Sequence, residues 1–483
     1  MNILLIHPNL SVNDTTDNPR FPLGLGYIAA VLQGAGHRIT VVDLNAKAES
    51  ECDLEEIIKA GQFGMVGLRA MITQFQQVKQ LASFIRSVSP TKIILGGGLA
   101  SSVPEMVLKE TEVDIAVVGE GEKTVVEVAD RMENMQSMVG VKGIVFRNNG
   151  NIMKALPQNY IDDISSIPFP AWNLFSMESY FNNKTFGIPK RMISIISSRG
   201  CPYNCRFCFH GNFGYKYRFR SAENLFEEIK ILKESYDIEG VYFEDDTFFL
   251  NKKRILSFCE MLQRHKPNIV WSCSGRVNLI EKDILLRMKA AGCTSISYGI
   301  ESGSQEMLNR IAKGITVDQA RKAIKMTWDC GMIPHGFMMI GYPGETLASV
   351  QQSIEFCKDV GIIAEFTFAT PIPGTKLYND ALELKRINSL NKLVIEWGHW
   401  FEDVLVNMTD FSDNQLIEMK KKAEKEVFNH FLQKKVRYLL KMLRLEFRIN
   451  GFVSIINRMW RGVRLIVRLI GNKGLSGVNK GKS

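Results

Sequence analysis

The sequence predicts an α/β protein with three parts in order: an N-terminal doubly wound domain of Rossmann or flavodoxin-like type, a partial (β/α)6 barrel, and a helical, basic C-terminal region. Three observations predict it. Short apolar runs alternate with amphipathic segments over residues 1–150, the same alternation resumes between Arg191 and Tyr378, and the positive charge is gathered at one end of the chain. With 483 residues, 45% hydrophobic and 10% aromatic, the chain can bury two or three cores of ordinary size, which excludes disorder as its main state.

In the first part the apolar runs are Ile3 to Ile6, Ile39 to Val42, Met65 to Leu68, Lys92 to Leu95, Ile115 to Val118 and Gly143 to Phe146. Amphipathic segments such as Gly24 to Ala35 and Phe75 to Ser87 lie between them. This rhythm argues a doubly wound parallel sheet, in which ligands bind outside the carboxyl ends of the strands. Gly96-Gly97-Gly98 and Gly119-Glu120-Gly121-Glu122 fall there. Glycine allows positive φ and a close backbone approach to a ligand, and it serves a plain tight turn equally well.

Residues 151–187 carry Pro157, Pro168 and Pro170 without a period and read as a linker. The barrel is expected over 188–385, with strands at Met192 to Ser197, Gly240 to Phe243, Val270 to Cys273, Ser295 to Ile300, Gly336 to Ile340 and Glu365 to Ala369. Its chemistry should gather at the strands' carboxyl ends.

The first residues, Met-Asn-Ile-Leu-Leu-Ile-His-Pro, have no basic segment and their apolar run stops at His7, so they read as a first strand rather than a signal peptide. No run approaches the roughly 18 apolar residues of a membrane span. A cytoplasmic protein is expected. The nine cysteines are odd in number and three are clustered, which favours metal ligation over disulfides.

The net charge of +9 is local. From Phe431 to Ser483 there are 13 Lys or Arg against the single Glu446, while the rest of the chain is slightly acidic. Arg437, Lys441, Arg444 and Arg448, and then Arg461, Arg464 and Arg468, recur at spacings that place each set on one helix face with apolar residues between. A helical C-terminal region is expected over 386–483, ending in two basic amphipathic helices at these repeats with Asn450-Gly451 as the break between them. They would either pack on the barrel or lie peripherally on the inner face of a membrane. Nucleic acid is not expected as a partner, because it would leave the apolar residues without a role.

The strongest motif is Cys201-Pro-Tyr-Asn-Cys205-Arg-Phe-Cys208, directly after the apolar strand Ile193 to Ile196. Three soft thiolates within eight residues can hold an iron–sulfur cluster and leave one iron without a protein ligand. A structural zinc site is the alternative, with His210 as a nearby fourth ligand. The other cysteines are scattered through apolar segments and read as small core residues.

This CxxxCxΦC pattern, with Phe207 at the aromatic position, resembles the radical S-adenosylmethionine superfamily. The resemblance implies a 4Fe-4S cluster on Cys201, Cys205 and Cys208 whose open iron binds S-adenosylmethionine, and an external low-potential electron donor that drives cleavage to a 5′-deoxyadenosyl radical. It further implies cofactor contacts from Phe207, from Glu244-Asp245-Asp246, from Arg276 and Asn278, from Glu301-Ser302-Gly303, and from Ile340 within Gly336 to Gly341.

A doubly wound domain ahead of the cysteine barrel is similar to the cobalamin-binding branch of that superfamily. Its phrases occur here as Pro22-Leu-Gly-Leu-Gly-Tyr-Ile-Ala29, Leu95-Gly-Gly-Gly98, Val118-Gly-Glu-Gly-Glu122 and Pro168-Phe-Pro-Ala-Trp172. The resemblance covers residues 1 to about 380. It implies cobalamin as a third cofactor, with Gly97 and Gly98, then Gly119, Glu120 and Gly121, near its nucleotide tail. The DxHxxG motif that supplies an axial histidine elsewhere is absent, and His7 and His37 stand alone, so cobalt without a protein histidine is expected.

The activity that the resemblance implies is methylation of an unactivated carbon of a small-molecule substrate, with lipids and tetrapyrroles among the candidates. Radical cyclisation or rearrangement, like that of the anaerobic magnesium-protoporphyrin monomethyl ester cyclase, is the near alternative. A cobalamin-binding regulator with a zinc-stabilised second domain is the distant one. No catalytic acid or base is assigned.

Overall fold

The computed structural model describes residues 1–9, 19–46, 53–181, 189–395 and 404–434. The basic repeats from Arg437 onward lie outside the described residues.

The first sheet has seven strands: β1 (Asn2–His7), β2 (Arg38–Asp43), β3 (Met65–Arg69), β4 (Lys92–Gly96), β5 (Ile115–Val117), β6 (Ile144–Asn148) and β7 (Asn151–Lys154). Their order is β2-β1-β3-β4-β5-β6-β7. Strands β1 to β5 are parallel and near-continuously apolar, as strands covered on both faces must be. The chain leaves β1 toward β2 on one side and returns to β3 on the other, so the strand order reverses between β1 and β3. A crevice opens at such a reversal.

Two expectations need correction. Strand β6 runs antiparallel to β5, and β7 closes a hairpin on it, so the sheet is not wholly parallel and residues 151–154 belong to it rather than to the linker. The cause is local. Asn149 and Gly150 both take positive φ, 48° and 82°, the two-residue turn that fits the twist of a hairpin.

The described remainder of the linker, residues 155–181, is a strap. Phe21 packs its ring against Trp172 at 4.4 Å, Phe175 at 4.6 Å and Tyr180 at 5.3 Å between centroids. Ala171 N–H donates to the Gly26 carbonyl at 3.0 Å, and a Cβ on Gly26 would stand 2.9 Å from Pro170. The glycine in Leu-Gly-Leu-Gly-Tyr and the prolines in Pro-Phe-Pro-Ala-Trp are therefore two halves of one contact.

The second sheet has six parallel strands: β8 (Met192–Ile195), then, beyond a two-stranded ribbon of β9 (Ser198–Arg199) and β10 (Arg218–Phe219), β11 (Gly240–Phe243), β12 (Val270–Gly275), β13 (Cys293–Glu301), β14 (Ile333–Ile340) and β15 (Ile363–Phe368). Strands and outer helices alternate, as a (β/α)6 partial barrel requires. Phe243, Phe248, Phe258 and Trp271 form its aromatic core under the helices. Helix Asp413–Lys434 covers the edge strand β15, burying Leu416, Ala423, Val427 and Phe431, so that strand is not left to pair with another chain.

The two domains are joined by a buried ion network. Arg218 Nη1 lies 2.7 Å from both oxygens of Glu120, Arg199 Nη1 is 3.1 Å from Glu120, and Arg199 Nη2 is 2.6 Å from Glu122. Glu120 also accepts from the Ile161 N–H at 2.8 Å. All four side chains are at most 7% exposed. Glu120, read above as a cobalamin contact, is thus committed to two arginines and a backbone amide. Removing one partner from such a network leaves an uncompensated buried charge, so Glu120→Ala is expected to cost about 3–5 kcal/mol in urea unfolding followed by tryptophan fluorescence. A loss below about 1 kcal/mol would mean that the network gives no net stability.

Candidate functional site

The segment between β9 and β10 carries the three cysteines. It begins at a turn held from below: Asp245 accepts from the Ser197 and Ser198 N–H groups at 2.7 and 3.1 Å and from both hydroxyls. Arg254 donates to the Ser197 carbonyl at 3.0 Å. Gly200 follows with φ 82°, where a Cβ would meet the Lys216 carbonyl oxygen at 2.3 Å, so glycine is required for the loop to fold back on itself. Arg199 and Arg218 pair across the ribbon and close the loop. On its far side Arg206 donates its N–H to the Ile311 carbonyl at 3.0 Å and pairs with Asp380.

Cys201 is half-buried, Cys205 buried and Cys208 exposed, and all three are free thiols. Burial raises the Cys201 thiol above its ordinary value against the pull of the Tyr203 amide, so metal binding there must release a proton. Among the described residues no three ligands converge as one ion would demand. Thiols bound to different irons of one cluster need not converge, and soft sulfur suits iron, so the donor set fits a 4Fe-4S cluster better than a zinc ion.

Around the barrel mouth the sequence-derived candidates separate. In the acidic run after β11, Asp245 is consumed by the serine turn and is only 6% exposed, which removes it from cofactor binding. Glu244 stays partly open, 3.0 Å from Ser194 Oγ and 3.6 Å from Arg20. Asp246 is exposed and acts electrostatically on Cys201.

At the end of β13 a register shift and a φ of 74° turn Glu301 inward to Lys313 Nζ, 2.7 Å away, with both buried. Gly299 leaves room for that pair, since a Cβ there would stand 2.8 Å from Glu301 and 2.9 Å from Lys313. Lys313 Nζ is 5.7 Å from the centre of the half-buried Phe207 ring. Ser302 is turned away: its hydroxyl bonds Ser353 Oγ at 3.2 Å and accepts from the Ser304 N–H, tying β13 to helix Leu347–Val360. Ile340 is 1% exposed and belongs to the apolar core. Arg276 is likewise buried, its guanidinium 3.6 Å from the centre of the Tyr203 ring and its Nε 3.4 Å from Asn278 Oδ1. Ser302, Ile340 and Arg276 therefore present no side chain to an open surface, because packing has claimed each.

Sequence reasoning missed Lys313, Arg199 and Arg218. Each is a buried cation whose partner lies 12 to 98 positions away, so no local pattern marks it.

On the first sheet the carboxyl edge is formed by His7, Asp43, Arg69 and Gly96, the last residues of β1 to β4. His7 Nδ1 is 3.0 Å from Asp43, and Arg69 Nη1 is 3.4 Å from His7 Nε2. Burial lowers the His7 pKa despite Asp43, which keeps the imidazole neutral. Burial would raise the Asp43 carboxyl, but His7, the Tyr180 hydroxyl at 2.7 Å and the Asn45 amide hold it below the usual range. His7 is thus a bonded core residue. His37 precedes β2 at the opposite end of the sheet, beside the Met1 amino group at 3.3 Å and Asp130 at 3.5 Å. Neither is a free histidine on the ligand edge.

Gly97 has φ 93°, and a Cβ would stand 2.6 Å from the Ala70 carbonyl oxygen, so its glycine serves the turn itself. Gly98 is open, with only Met71 Cα near, at 3.9 Å. Gly119 donates its N–H to Ser101 Oγ at 3.0 Å, and its own Cβ position lies 3.8 Å from the Asn212 carbonyl of the cysteine loop. Gly121 packs under Ile28 and faces the core. A glycine edge with room at Gly98 fits a large planar cofactor with a nucleotide tail.

Comparison with known proteins agrees with this architecture. The model of the radical SAM superfamily matches residues 195–357, and that of the B12 binding domain matches residues 11–129. An uncharacterized methyltransferase of Pyrococcus horikoshii is 32% identical over 96% of this chain and 98% of its own. The anaerobic magnesium-protoporphyrin IX monomethyl ester cyclase of Rubrivivax gelatinosus is 26% identical over 79% of this chain and 70% of its own. Among solved structures, the radical S-adenosylmethionine methyltransferase TsrM of Kitasatospora setae, with cobalamin and a [4Fe-4S] cluster bound, superimposes with a TM-score of 0.67 at 17% identity, covering 81% of this chain and 79% of that one. With its cysteine loop on a partial barrel, its glycine edge on a doubly wound sheet and these relatives, the chain belongs to the cobalamin-binding branch of the radical S-adenosylmethionine enzymes, whose cofactors are a 4Fe-4S cluster, S-adenosylmethionine and cobalamin.

Proposed function

We propose that this enzyme transfers a methyl group to a carbon of a small-molecule substrate held between the glycine edge and the barrel mouth. The observation that carries this is the contact between the two cofactor-bearing elements: Gly119 abuts the cysteine loop at Asn212, and its neighbour Glu120 is bonded to both arginines that close that loop. The bound cofactors supply hydrogen abstraction and methyl donation.

The residues of this chain bind and orient. Cys201, Cys205 and Cys208 hold the cluster. Glu244 and Asp246, the open carboxylates of the acidic run, face the ammonium of S-adenosylmethionine. Phe207, beside the buried Glu301–Lys313 pair, borders its binding face. The strap that caps the cobalamin domain and the buried ion network keep the interface dry, which strengthens each of these polar contacts. The homologous methyltransferase along the whole chain supports methylation over cyclisation.

Anaerobic protein given S-adenosylmethionine and a low-potential reductant is expected to yield 5′-deoxyadenosine together with S-adenosylhomocysteine. 5′-Deoxyadenosine alone would replace methylation by radical cyclisation or rearrangement. Wild type should hold about four irons and four sulfides per chain, and Cys201→Ala, Cys205→Ala or Cys208→Ala should abolish the cluster absorbance. Tightly bound zinc would refute the assignment.

For cobalamin, Gly98→Val is expected to weaken binding by more than tenfold with the fold intact, because a Cβ on Gly98 meets no atom nearer than Met71 Cα at 3.9 Å and so projects into open space. Gly97→Ala should instead lower thermal stability, through the clash with Ala70. Unchanged cobalamin affinity in Gly98→Val would remove this edge as the site.

From the sequence pattern alone we also propose that the basic repeats from Arg437 to Arg468 attach the enzyme to anionic membrane, which suits a lipid or tetrapyrrole substrate. Each cation near the surface adds about 1 kcal/mol. The full chain should therefore sediment with anionic but not neutral vesicles at low salt, and a chain ending at Lys434 should sediment with neither. Equal sedimentation of both chains would end the proposal.

A further inference from the structure

Among the described residues, Arg276 is a buried cation with no carboxylate partner. It follows β12, caps the short turn Val277–Leu279 and is 6% exposed. Its contacts among the described residues are the Lys313 carbonyl and Asn278 Oδ1, the face of Tyr203, and Cys205 Sγ, which lies 3.5 Å from Nη1. Three of these four are neutral. The sulfur is the one that can carry a full negative charge.

A guanidinium does not lose its proton inside a protein, and leaving one buried without an anion costs several kcal/mol. Most buried cations of this region are answered by a carboxylate: Lys313 by Glu301, Arg199 by Glu120 and Glu122, Arg218 by Glu120, and Arg220 by Glu228. Among the described residues, Arg254, whose donors go to Ser197 and the Phe248 carbonyl, and Arg276 have none, and of these two Arg276 is the one that donates to a cluster ligand. Because Glu301 neutralises Lys313, Arg276 is the net positive charge on this side of the cysteine loop.

We infer that Arg276 is the fixed counter-cation of the cluster, donating to the Cys205 sulfur and raising the potential at which the cluster takes up its electron. The inference rests on the cluster assignment above. In the step concerned, one electron passes from an external donor of the reduced flavoprotein or iron–sulfur class to the cluster. The donor is oxidised by one electron and the cluster gains one negative charge, with no bond made or broken and no proton moved. A nearby positive charge stabilises the more negative form, and a hydrogen bond to sulfur acts in the same direction. Lysine would keep the charge but lose the fork that bonds sulfur and carbonyl together while stacking on Tyr203.

The test compares wild type, Arg276→Lys and Arg276→Met, each reconstituted anaerobically, matched for iron and sulfide, and titrated against potential with the reduced cluster read by electron paramagnetic resonance. At the potential where wild type is half reduced, Arg276→Met is expected to show an approximately tenfold lower ratio of reduced to oxidised cluster, about 59 mV for one electron. Arg276→Lys should fall between. Equal midpoints for wild type and Arg276→Met at equal iron content would overturn the inference.

A second measurement decides the matter if Arg276→Met holds no iron. Wild-type protein labelled with nitrogen-15 only in the arginine guanidinium should show nitrogen-15 coupling to the reduced cluster in pulsed resonance, and Arg276→Lys labelled in the same way should not. Absence of that coupling in wild type would also overturn the inference. A wild type that binds no iron at all would instead fail the cluster assignment, so the two failures are distinct.

Discussion

The ion network of Glu120, Glu122, Arg199 and Arg218 fixes the relation on which the rest of the molecule depends. An enzyme of this family must keep two reactive cofactors, carried by two separately built sheets, at a set distance in a space closed to water. Apolar packing alone would allow the sheets to slide, because it is not directional. Charged hydrogen bonds between fully buried partners tolerate no such slip, since each displaced charge is left unpaired in a low dielectric. Glu120 issues from the glycine turn of the first sheet and meets both strands of the ribbon that closes the cysteine loop. The same four residues therefore define the loop and its place against the other domain.

Much of this was legible in the sequence because it is local. The alternation of apolar runs locates the strands to within a few residues, and the cysteine spacing identifies the cluster loop without reference to anything distant. What could not be read was which member of a polar group faces which way. Glu244, Asp245 and Asp246 look alike in sequence, yet just past the end of β11 Asp245 is buried, where the Ser197–Ser198 turn takes it, while its two neighbours stay exposed. Ser302 is drawn aside by Ser353, a partner 51 residues away. The hairpin of β6 and β7 had a local signal, Asn149-Gly150, which the expectation of a wholly parallel sheet obscured.

The glycines show the same division between backbone need and ligand need. A glycine-rich turn invites the reading that every glycine makes room for a cofactor. Here Gly97 and Gly200 are demanded by neighbouring carbonyls, Gly26 by Pro170 and Gly299 by the Glu301–Lys313 pair, while Gly96 and Gly98 border open space at the carboxyl end of β4. A Gly-rich phrase marks where the backbone is crowded. What crowds it must be found from the fold, and in most of these cases it is the protein itself.

Charge placement around the cysteine loop follows from these constraints. The loop is short and tied at both ends, so a ligand sulfur cannot move to meet a distant cation, and compensation has to be built beside it. A carboxylate partner for that cation would cancel it and leave the sulfur with a neutral neighbour, as Glu301 does for Lys313. Arg276 escapes cancellation because the acidic run is divided: Asp245 is spent on the serine turn, Glu244 leans to Ser194 and Arg20, and Asp246 makes no ion pair with Arg276 among the described residues. Stacking on Tyr203 and the carbonyl of Lys313 then hold the guanidinium in place without neutralising it. The positive charge is thus kept for the sulfur by the way its neighbours are occupied, and the neutrality of the tyrosine ring and the carbonyl is as necessary to that outcome as the charge itself.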